Sequence, residues 1–227
     1  MVLQSTSYVA QLGTVAKSIA IRVPWIPITQ VFDVGANIGQ SVEAFSQIFP
    51  NSKIDAFEPI PSSFQTLEET YASMSPQIRT HRLALSNIRS VVRMTNRESS
   101  PTNAILTAAS PSTNSIEVST STGDEVLTSF GIDRISYLKI DTEGHEIQVL
   151  EGFHESLINS QVDFIQVEAG LNPENQWHVP LEAIKSKLEK YGYRIFGIIQ
   201  LAWEPRIGPY LRRCDAIFIS PRALKQN

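Results

Sequence analysis

The stretch that decides the fold is Val31–Gly39, which reads Val-Phe-Asp-Val-Gly-Ala-Asn-Ile-Gly. Its first four residues suit a buried strand, and they run directly into two glycines, Gly35 and Gly39. A segment with helical periodicity follows the second glycine. A strand, a glycine-rich turn and a helix in this order present backbone N–H groups to a ligand in an open α/β sheet. Glycine lets the ligand approach closely, because no Cβ intervenes.

An acidic residue follows the next predicted strand, as in many nucleoside sites. That strand covers Lys53–Phe57 and leads into Glu58-Pro59, with Glu58 lying 19 positions after Gly39. A carboxylate at the tip of the second strand can accept hydrogen bonds from both hydroxyls of a ribose. These features together indicate a ligand that contains a nucleoside.

The glycine turn differs from the dinucleotide-binding fingerprint G-x-G-x-x-G. Asn37 stands where the second glycine would be, and no third glycine is in place. Asp33, inside the strand, would repel a pyrophosphate, whereas it suits a ligand with a positively charged amino-acid end. The turn therefore resembles the first motif of S-adenosylmethionine-dependent methyltransferases. A turn without a cofactor and a dinucleotide site are the two alternatives.

Size, composition and charge describe an ordinary globular chain. Its 227 residues are enough for one α/β domain, and 42% of them are hydrophobic. The net charge of −4 comes without a cluster of Lys and Arg, so nucleic acid is disfavoured as a partner. The single cysteine, Cys214, excludes an intramolecular disulfide and is typical of a reducing compartment, for which we predict the cytoplasm.

Residues 1–28 are predicted to form a helical segment that precedes the main domain, residues 29–227. Tyr8–Ile21 has an amphipathic pattern and is expected to lie as a helix on that domain. Pro24 and Pro27 separate this helix from the first strand. Polar and basic residues interrupt the apolar run, so neither a signal peptide nor a membrane span is predicted.

Residues 99–122 stand out because 12 of the 24 are Ser or Thr. A structureless loop of that length is unusual in a compact domain, so we expect short strands at Val91–Thr95 and Ile116–Thr120. A mobile tip is predicted between them at Ser99–Pro111. We interpret the region either as a solvated surface insertion or as a flap over an acceptor pocket, since long loops often carry function.

A second informative stretch is Tyr137–Gly152, which reads Tyr-Leu-Lys-Ile-Asp-Thr-Glu-Gly-His-Glu-Ile-Gln-Val-Leu-Glu-Gly. Its first four residues are predicted to form a buried strand. Ligands of open α/β sheets bind at the carboxyl ends of the strands, so the polar residues that follow are expected beside the nucleoside site. Those residues are Asp141, Glu143, His145 and Glu146. For Glu146, complementing the N-terminus of the next helix is a sufficient explanation.

Three blocks of sequence together resemble the FkbM family of methyltransferases. They are Val31–Gly39, the segment Ala-Phe-Glu-Pro at 56–59, and the segment Leu-Lys-Ile-Asp-Thr-Glu-Gly-His-Glu at 138–146. The resemblance implies a class I methyltransferase fold of the α/β type. This is a doubly wound, mostly parallel sheet of seven strands with an antiparallel last strand. The resemblance also implies S-adenosylmethionine as the methyl donor and O-methylation of a hydroxyl on a natural product or sugar.

The resemblance also implies which residues form the site. Those implied for the donor are Asp33, Gly35, Ala36, Asn37 and Gly39, with Glu58 for the ribose and Asp141 nearby. Those implied for the acceptor are Asp141, Glu143 and Gly144. Two other classes stay open. A non-catalytic partner subunit that binds S-adenosylmethionine would not need the polar cluster, and a NAD-dependent oxidoreductase is disfavoured by the missing fingerprint.

The acceptor hydroxyl must lose a proton, and histidine has the unperturbed pKa best suited to this task near neutral pH. His145 is therefore predicted to be the general base, with Asp141 or Glu143 orienting its ring. The alternative is that His145 only begins the following helix, while Asp141 contacts the acceptor. The other histidines of interest are predicted to be surface or core-edge residues, namely His81, His154 and His178.

Two acids are candidates for a metal site. Asp141 and Glu168 are predicted to end neighbouring strands, and two carboxylates can bind Mg²⁺ through hard oxygen ligands. Some class I O-methyltransferases use such an ion to acidify the acceptor hydroxyl. The sequence therefore makes Asp141 and Glu168 a candidate Mg²⁺ pair.

The segment Gln200–Arg213 connects the two last predicted strands, Arg194–Ile199 and Asp215–Ser220. It carries aromatic side chains and several arginines, including Arg212 and Arg213. We interpret it either as a contact for an acidic or sugar-like acceptor or as an exposed hairpin with solvated arginines.

Overall fold

The computed structural model describes residues 2–71, 74, 77–95, 115–175, 177–204 and 208–225. Its strands are β1 (Gln30–Val34), β2 (Lys53–Phe57), β3 (Ile78–His81), β4 (Ala84–Leu85), β5 (Ser90–Thr95), β6 (Ser115–Ser121), β7 (Ile135–Ile140), β8 (Val162–Gly170), β9 (Arg194–Trp203) and β10 (Leu211–Ile219). Its helices are α1 (Val2–Arg22), α2 (Gln40–Ile48), α3 (Pro61–Tyr71), α4 (Gly123–Phe130), α5 (Glu146–Gly152), α6 (His154–Ile158) and α7 (Leu181–Glu189).

A seven-stranded sheet forms the middle layer, in the order β3-β2-β1-β7-β8-β10-β9. Strand β1 lies parallel between β2 and β7. Strand β10 is antiparallel to both of its neighbours, β8 and β9. The predicted doubly wound, mostly parallel sheet with an antiparallel last strand is confirmed.

The register aligns the carboxyl ends of the central strands. Val34 of β1 pairs with Phe57 of β2 and with Ile140 of β7. The residues that follow these three positions therefore lie at one edge of the sheet, where ligands of such folds bind. They are the predicted site residues Gly35, Glu58 and Asp141.

Helices cover both faces of the sheet, so every residue of β1, β7 and β8 is buried. Neighbouring residues of β7 show the alternation of a strand. Tyr137 packs in the same hydrophobic cluster as Phe45 of α2, whereas Leu138 packs in the cluster that contains Phe153. Burial on both faces explains why most residues of these strands are apolar without a strict alternation in the sequence.

Helix α1 is packed into one of these clusters. Leu12 is completely buried there, and the helix contacts α2 and β9. The helix is longer than the predicted Tyr8–Ile21, because it begins at Val2 and ends at Arg22. Among the helices of the described residues, none is both long enough and apolar enough to cross a membrane.

A small second sheet, in the order β4-β6-β5, stands beside the main one. Its strands β5 and β6 confirm the short strands predicted at Val91–Thr95 and Ile116–Thr120, each with slightly wider bounds. The predicted tip, Ser99–Pro111, lies outside the described residues. Residues 78–85 are divided between the two sheets, because β3 pairs with β2 and β4 pairs with β6.

Candidate active site

A cavity of about 620 Å³ lies at the carboxyl edge of the main sheet. Residues that follow β1, β2 and β7 line it, and the second sheet contributes Leu85 and Met94 to its wall. A cavity of this volume is in the range that holds small molecules and cofactors. The edge of the sheet predicted to bind a ligand therefore carries a preformed site.

Both glycines of the turn are required by packing. Gly35 has φ 83°, and a Cβ built on it would lie 1.9 Å from the carbonyl oxygen of Asp141. Gly39 has φ 96°, and a Cβ there would lie 2.2 Å from a ring carbon of Tyr71. The stretch Gly35–Asn37 lines the cavity, whereas Gly39 is not among the lining residues and precedes α2 as its N-cap.

Two backbone N–H groups fix Glu58 at the tip of β2. Its Oε2 accepts a hydrogen bond from the N–H of Asn37 at 3.0 Å, and its Oε1 accepts one from the N–H of Ile60 at 2.8 Å. Burial raises the pKa of Glu58 to about 7, although these hydrogen bonds oppose the rise. Glu58 lines the cavity, and its oxygens have further lone pairs for a ligand hydroxyl.

Asp33 lies behind the cavity wall rather than in it. Its Oδ2 accepts a hydrogen bond from the Ser41 hydroxyl at 2.5 Å, and its Oδ1 lies 3.5 Å from the Nζ of Lys139. Ser41 and Lys139 line the cavity, whereas Asp33 is completely buried and is not among the lining residues. The contact between Asp33 and the amino end of a ligand stays a prediction, and Ser41 and Lys139 are the partners of Asp33 that line the cavity.

Lys139 is a site residue that sequence reasoning missed. Its Nζ donates to the Oδ2 of Asp141 at 3.0 Å and stands between Asp141 and Asp33. Burial alone would lower the pKa of Lys139, but the carboxylates of Asp141 and Asp33 raise it above the usual value. The signal in the sequence was a single charged residue inside an otherwise uncharged strand, β7.

Glu146 organises the loop that joins β7 to α5. Its Oε1 accepts hydrogen bonds from the N–H groups of Thr142 at 3.0 Å and Gly144 at 3.1 Å. The residue is completely buried, and it is not among the lining residues of the cavity. This agrees with the structural interpretation of Glu146. Of the four acidic and histidine residues singled out in this stretch, Asp141, Glu143 and His145 line the cavity.

His145 is the N-cap residue of α5, but its side chain makes no capping hydrogen bond. Its Nε2 instead lies 2.9 Å from the hydroxyl oxygen of Ser86. Burial lowers the pKa of His145, which favours the neutral imidazole at pH 7. A neutral ring keeps one nitrogen that can accept a proton.

Glu143, Glu168 and His178 form a second polar group in the cavity wall, and their possible metal-binding atoms lie within 4.8 Å of one another. The Nε2 of His178 is 2.9 Å from the Oε2 of Glu168 and 3.9 Å from the Oε2 of Glu143. Burial, and then the charge of Asp141, raise the pKa of Glu143 to about 7. Asp141, the predicted Mg²⁺ partner of Glu168, is not a member of this group and instead accepts from Lys139.

His178 was missed as a site residue. It lies alone in the sequence between β8 and α7, ten positions after Glu168. In the structure it is only 7% exposed and lines the cavity. Only the fold brings it to Glu168, because the chain leaves β8 and turns back beside the end of that strand.

Two further parts of the chain reach the cavity. Tyr8 of α1 lines it, and the hydroxyl oxygen of Tyr8 accepts a hydrogen bond from the Nε2 of Gln166 at 3.2 Å. Arg212 and Arg213 of β10 also line it, and Arg213 pairs with the carboxylate of Glu168. Half of the predicted loop of residues 200–213 thus belongs to the paired ends of β9 and β10.

The strand order and the cavity at the carboxyl edge define a class I methyltransferase fold. A Pyrococcus horikoshii protein described as an RNA methyltransferase matches with a TM-score of 0.51 and 11% identity, covering 92% of this chain and 84% of its own. M. capricolum TrmK, solved with S-adenosyl-homocysteine, matches with a TM-score of 0.50 and 13% identity, covering 85% of this chain and 62% of its own. At these identities the likeness concerns the fold alone.

The chain belongs to the FkbM methyltransferase family, since residues 33–195 match the FkbM methyltransferase domain. The resemblance drawn from the three sequence blocks is thereby confirmed. A curated relative is the hexuronic acid methyltransferase AglP of Haloferax volcanii, which is 29% identical over 145 residues. That match covers 64% of this chain and spans 58% of the length of the relative.

Proposed function

We propose that this protein transfers the methyl group of S-adenosylmethionine to a hydroxyl oxygen of a sugar-like small molecule. The observation that carries the proposal is one cavity with two kinds of wall. One wall contains Gly35–Asn37 and Glu58, the residues that a nucleoside site requires. The other wall contains Asp141 and His145, the residues that an acceptor site requires. The membership of the chain in a methyltransferase family supports the same assignment.

On the donor side, Glu58 is proposed to accept hydrogen bonds from the ribose hydroxyls. Its two hydrogen bonds to backbone N–H groups support this role, because they hold the carboxylate in one orientation before the ligand binds. Lys139 and Ser41, which Asp33 holds in place, are proposed to face the methionine end. The Lys139 ammonium suits the carboxylate of that end.

On the acceptor side, two arginines support a sugar-like and acidic substrate. Arg212 and Arg213 line the cavity, and the side chain of Arg212 has a buried Nε without a hydrogen-bond acceptor among the described residues. A guanidinium group is suited to bind a carboxylate. The name of the Haloferax volcanii relative, a hexuronic acid methyltransferase, agrees with this substrate class.

The reaction itself requires alignment and one proton acceptor. The sulfonium already makes the methyl group electrophilic, so the site must hold the acceptor oxygen in line with the methyl carbon and the sulfur. His145 is proposed to take the hydroxyl proton as the C–O bond forms, with Asp141 contacting the acceptor. The low pKa that burial gives His145 supports this role, because the ring is neutral at the start of the reaction.

Methyl transfer can be tested with S-adenosylmethionine and a panel of hexoses, hexuronic acids and hydroxylated natural products without a sugar. Mass spectrometry should find a sugar product heavier by one methylene, together with an equal amount of S-adenosylhomocysteine. The proposal would be contradicted if none of these acceptors raised donor consumption above the background measured without protein. That result would favour a non-catalytic binding role.

His145→Ala should lower kcat about 10²–10⁴-fold, the usual loss when a general base is removed. Affinity for the donor should change little. The wild-type rate should fall as the pH is lowered through a pKa below that of an ordinary histidine, and the variant should lack this step. The control is His154→Ala, which removes an exposed ring that contacts Tyr191. A normal kcat in His145→Ala would transfer the role to Asp141.

A further inference from the structure

We propose that Glu143, Glu168 and His178 bind one divalent ion of a first-row transition metal. The three side chains come from the loop after β7, from β8 and from the segment before α7, and they meet at the cavity wall. The site has one imidazole nitrogen and two carboxylate oxygens as ligands. It differs from the Asp141 and Glu168 pair that the sequence had indicated.

The hydrogen bonds of Asn175 determine which nitrogen of His178 carries the proton. The Asn175 Nδ2 donates to the carbonyl oxygen of Arg212 at 3.0 Å, and its Oδ1 accepts from the N–H of Trp177 at 3.1 Å. The same Oδ1 lies 2.9 Å from the Nδ1 of His178, which must therefore carry a proton. In a neutral ring this leaves the Nε2 of His178 with a lone pair, 2.9 Å from the Oε2 of Glu168.

Both carboxylates direct an unpartnered oxygen to the same place. Arg213 binds the Oε1 of Glu168, and the Oε2 of this residue is buried without a hydrogen bond from any described residue. The Oε2 of Glu143 is likewise buried without a donor among the described residues. Glu168 as a whole is only 5% exposed, so water does not replace the missing donors easily. A cation between them would stabilise three electron-rich atoms that face one another in a buried place.

The separations of the three atoms fit a metal ion. Two adjacent ligands, each about 2.1 Å from a metal, are about 3.0 Å apart in octahedral geometry. The Nε2 of His178 and the Oε2 of Glu168 are 2.9 Å apart. The Oε2 of Glu143 is 3.9 Å from the same nitrogen, and Glu143 stands on a loop, so a small rotation of its side chain completes the set.

The mixture of ligands selects the kind of metal. Mg²⁺ prefers oxygen ligands alone, whereas an imidazole nitrogen is favoured by Zn²⁺, Fe²⁺ and other transition ions, and carboxylates also suit Mn²⁺. Three protein ligands leave further coordination positions that face the cavity. On the basis of the proposed function, an acceptor oxygen would occupy one of these positions.

Binding can be tested with Mn²⁺, using protein first stripped of metal by EDTA and dialysis. Electron paramagnetic resonance measures the free ion, and one Mn²⁺ should bind per chain. Glu143→Gln and His178→Gln should each weaken binding at least about 10-fold, as expected for the loss of a ligand. The controls are Glu155→Gln and His154→Gln, which lie on α6 outside the cavity lining and should bind as the wild type does.

Circular dichroism and thermal unfolding should show that Glu143→Gln, whose position is on a loop, remains folded. Absence of Mn²⁺ binding by the wild type, or equal binding by Glu143→Gln and the wild type, would overturn the proposal. A protonated His178 would then be the cation between the carboxylates. Because the readout is metal binding alone, a failure of the proposed methyl transfer would not affect this result.

Discussion

Glu58 shows how a single side chain can be prepared for its ligand by the backbone around it. The N–H groups of Asn37 and Ile60 hold the two carboxylate oxygens, and burial raises the pKa of the group to about 7. A protonated carboxyl is a weaker acceptor than a carboxylate, because it has lost its charge and one of its oxygens carries a proton. The affinity for the donor should therefore depend on pH near neutrality.

We expect wild-type affinity for S-adenosylmethionine to rise between about pH 6 and 8, as Glu58 loses its proton through a pKa of about 7. Glu58→Gln should lack this dependence. Near pH 8 its binding should be weaker by about 1.5–3 kcal/mol, the range for a hydrogen bond to a charged group. Titration calorimetry at several pH values measures both effects, and the difference between the two proteins removes any titration of the ligand itself. Parallel pH curves would contradict the role of Glu58.

Gly35 is a position where both conformation and space exclude a side chain. Its φ is 83°, and an added Cβ would lie 1.9 Å from the backbone oxygen of Asp141. Gly35→Ala should therefore destabilise the fold by more than the roughly 1–2 kcal/mol that the left-handed conformation costs a residue with a Cβ. The matched control is Gly131→Ala, where φ is 63° and nothing lies within 4 Å of the added atom. If urea unfolding gave Gly35→Ala and Gly131→Ala the same loss in free energy of unfolding, the contact with Asp141 would be unimportant.

The residues that sequence reasoning found and missed differ in one physical respect. Glu58 and Asp141 follow directly after buried strands, so the periodicity of the chain places them at the binding edge. His178 reaches Glu168 only through a turn whose path depends on long-range contacts. No local pattern encodes such an approach.

At the scale of elements, α1 is proposed to be a structural part of the domain although the sequence set residues 1–28 apart. Leu12 is completely buried in the cluster that contains Phe45. The side chain of Gln11 also accepts a hydrogen bond from the N–H of Gln200 at 2.7 Å. These contacts tie the helix to both α2 and the end of β9.

Leu12→Ala should lower the free energy of unfolding by about 2–5 kcal/mol, as expected for a buried leucine. Ile21→Ala, on the same helix, should change it by less than about 0.5 kcal/mol, because Ile21 is 78% exposed. Denaturant unfolding should also follow a single transition in both proteins. A separate early transition for the helix, or equal stabilities of the two variants, would show that α1 does not contribute to the stability of the domain.

Element boundaries were predictable where local signals mark them. Strand β2 was predicted with its observed bounds, Lys53–Phe57, because a helix end precedes it and Glu58-Pro59 follows it. Strand β9 extends beyond its predicted end to Trp203. Strand β10 begins earlier than predicted, at Leu211. Their added residues pair through irregular register, which has no simple alternation in the sequence.

At the scale of the whole molecule, the family resemblance predicted the main sheet of seven strands with its antiparallel last strand. Repeated strand–helix–strand units favour a parallel sheet with right-handed crossovers, which limits the topology strongly. The cavity was harder to predict, because its walls also include Tyr8 of α1, Met94 of the second sheet and Arg212 of the last strand. These contributions come from the beginning, the middle and the end of the chain, and only tertiary packing brings them together.

Calorimetric titration of the unmodified protein with S-adenosylmethionine, and separately with NAD⁺, tests the donor site most directly. The turn at Gly35–Asn37, the fixed carboxylate of Glu58 and the Lys139 ammonium should together bind one S-adenosylmethionine per chain. No heat of binding is expected with NAD⁺, because the turn lacks the glycines that cradle a pyrophosphate. Binding of NAD⁺ in place of S-adenosylmethionine, or binding of neither, would contradict the assignment of this cavity to a methyl donor.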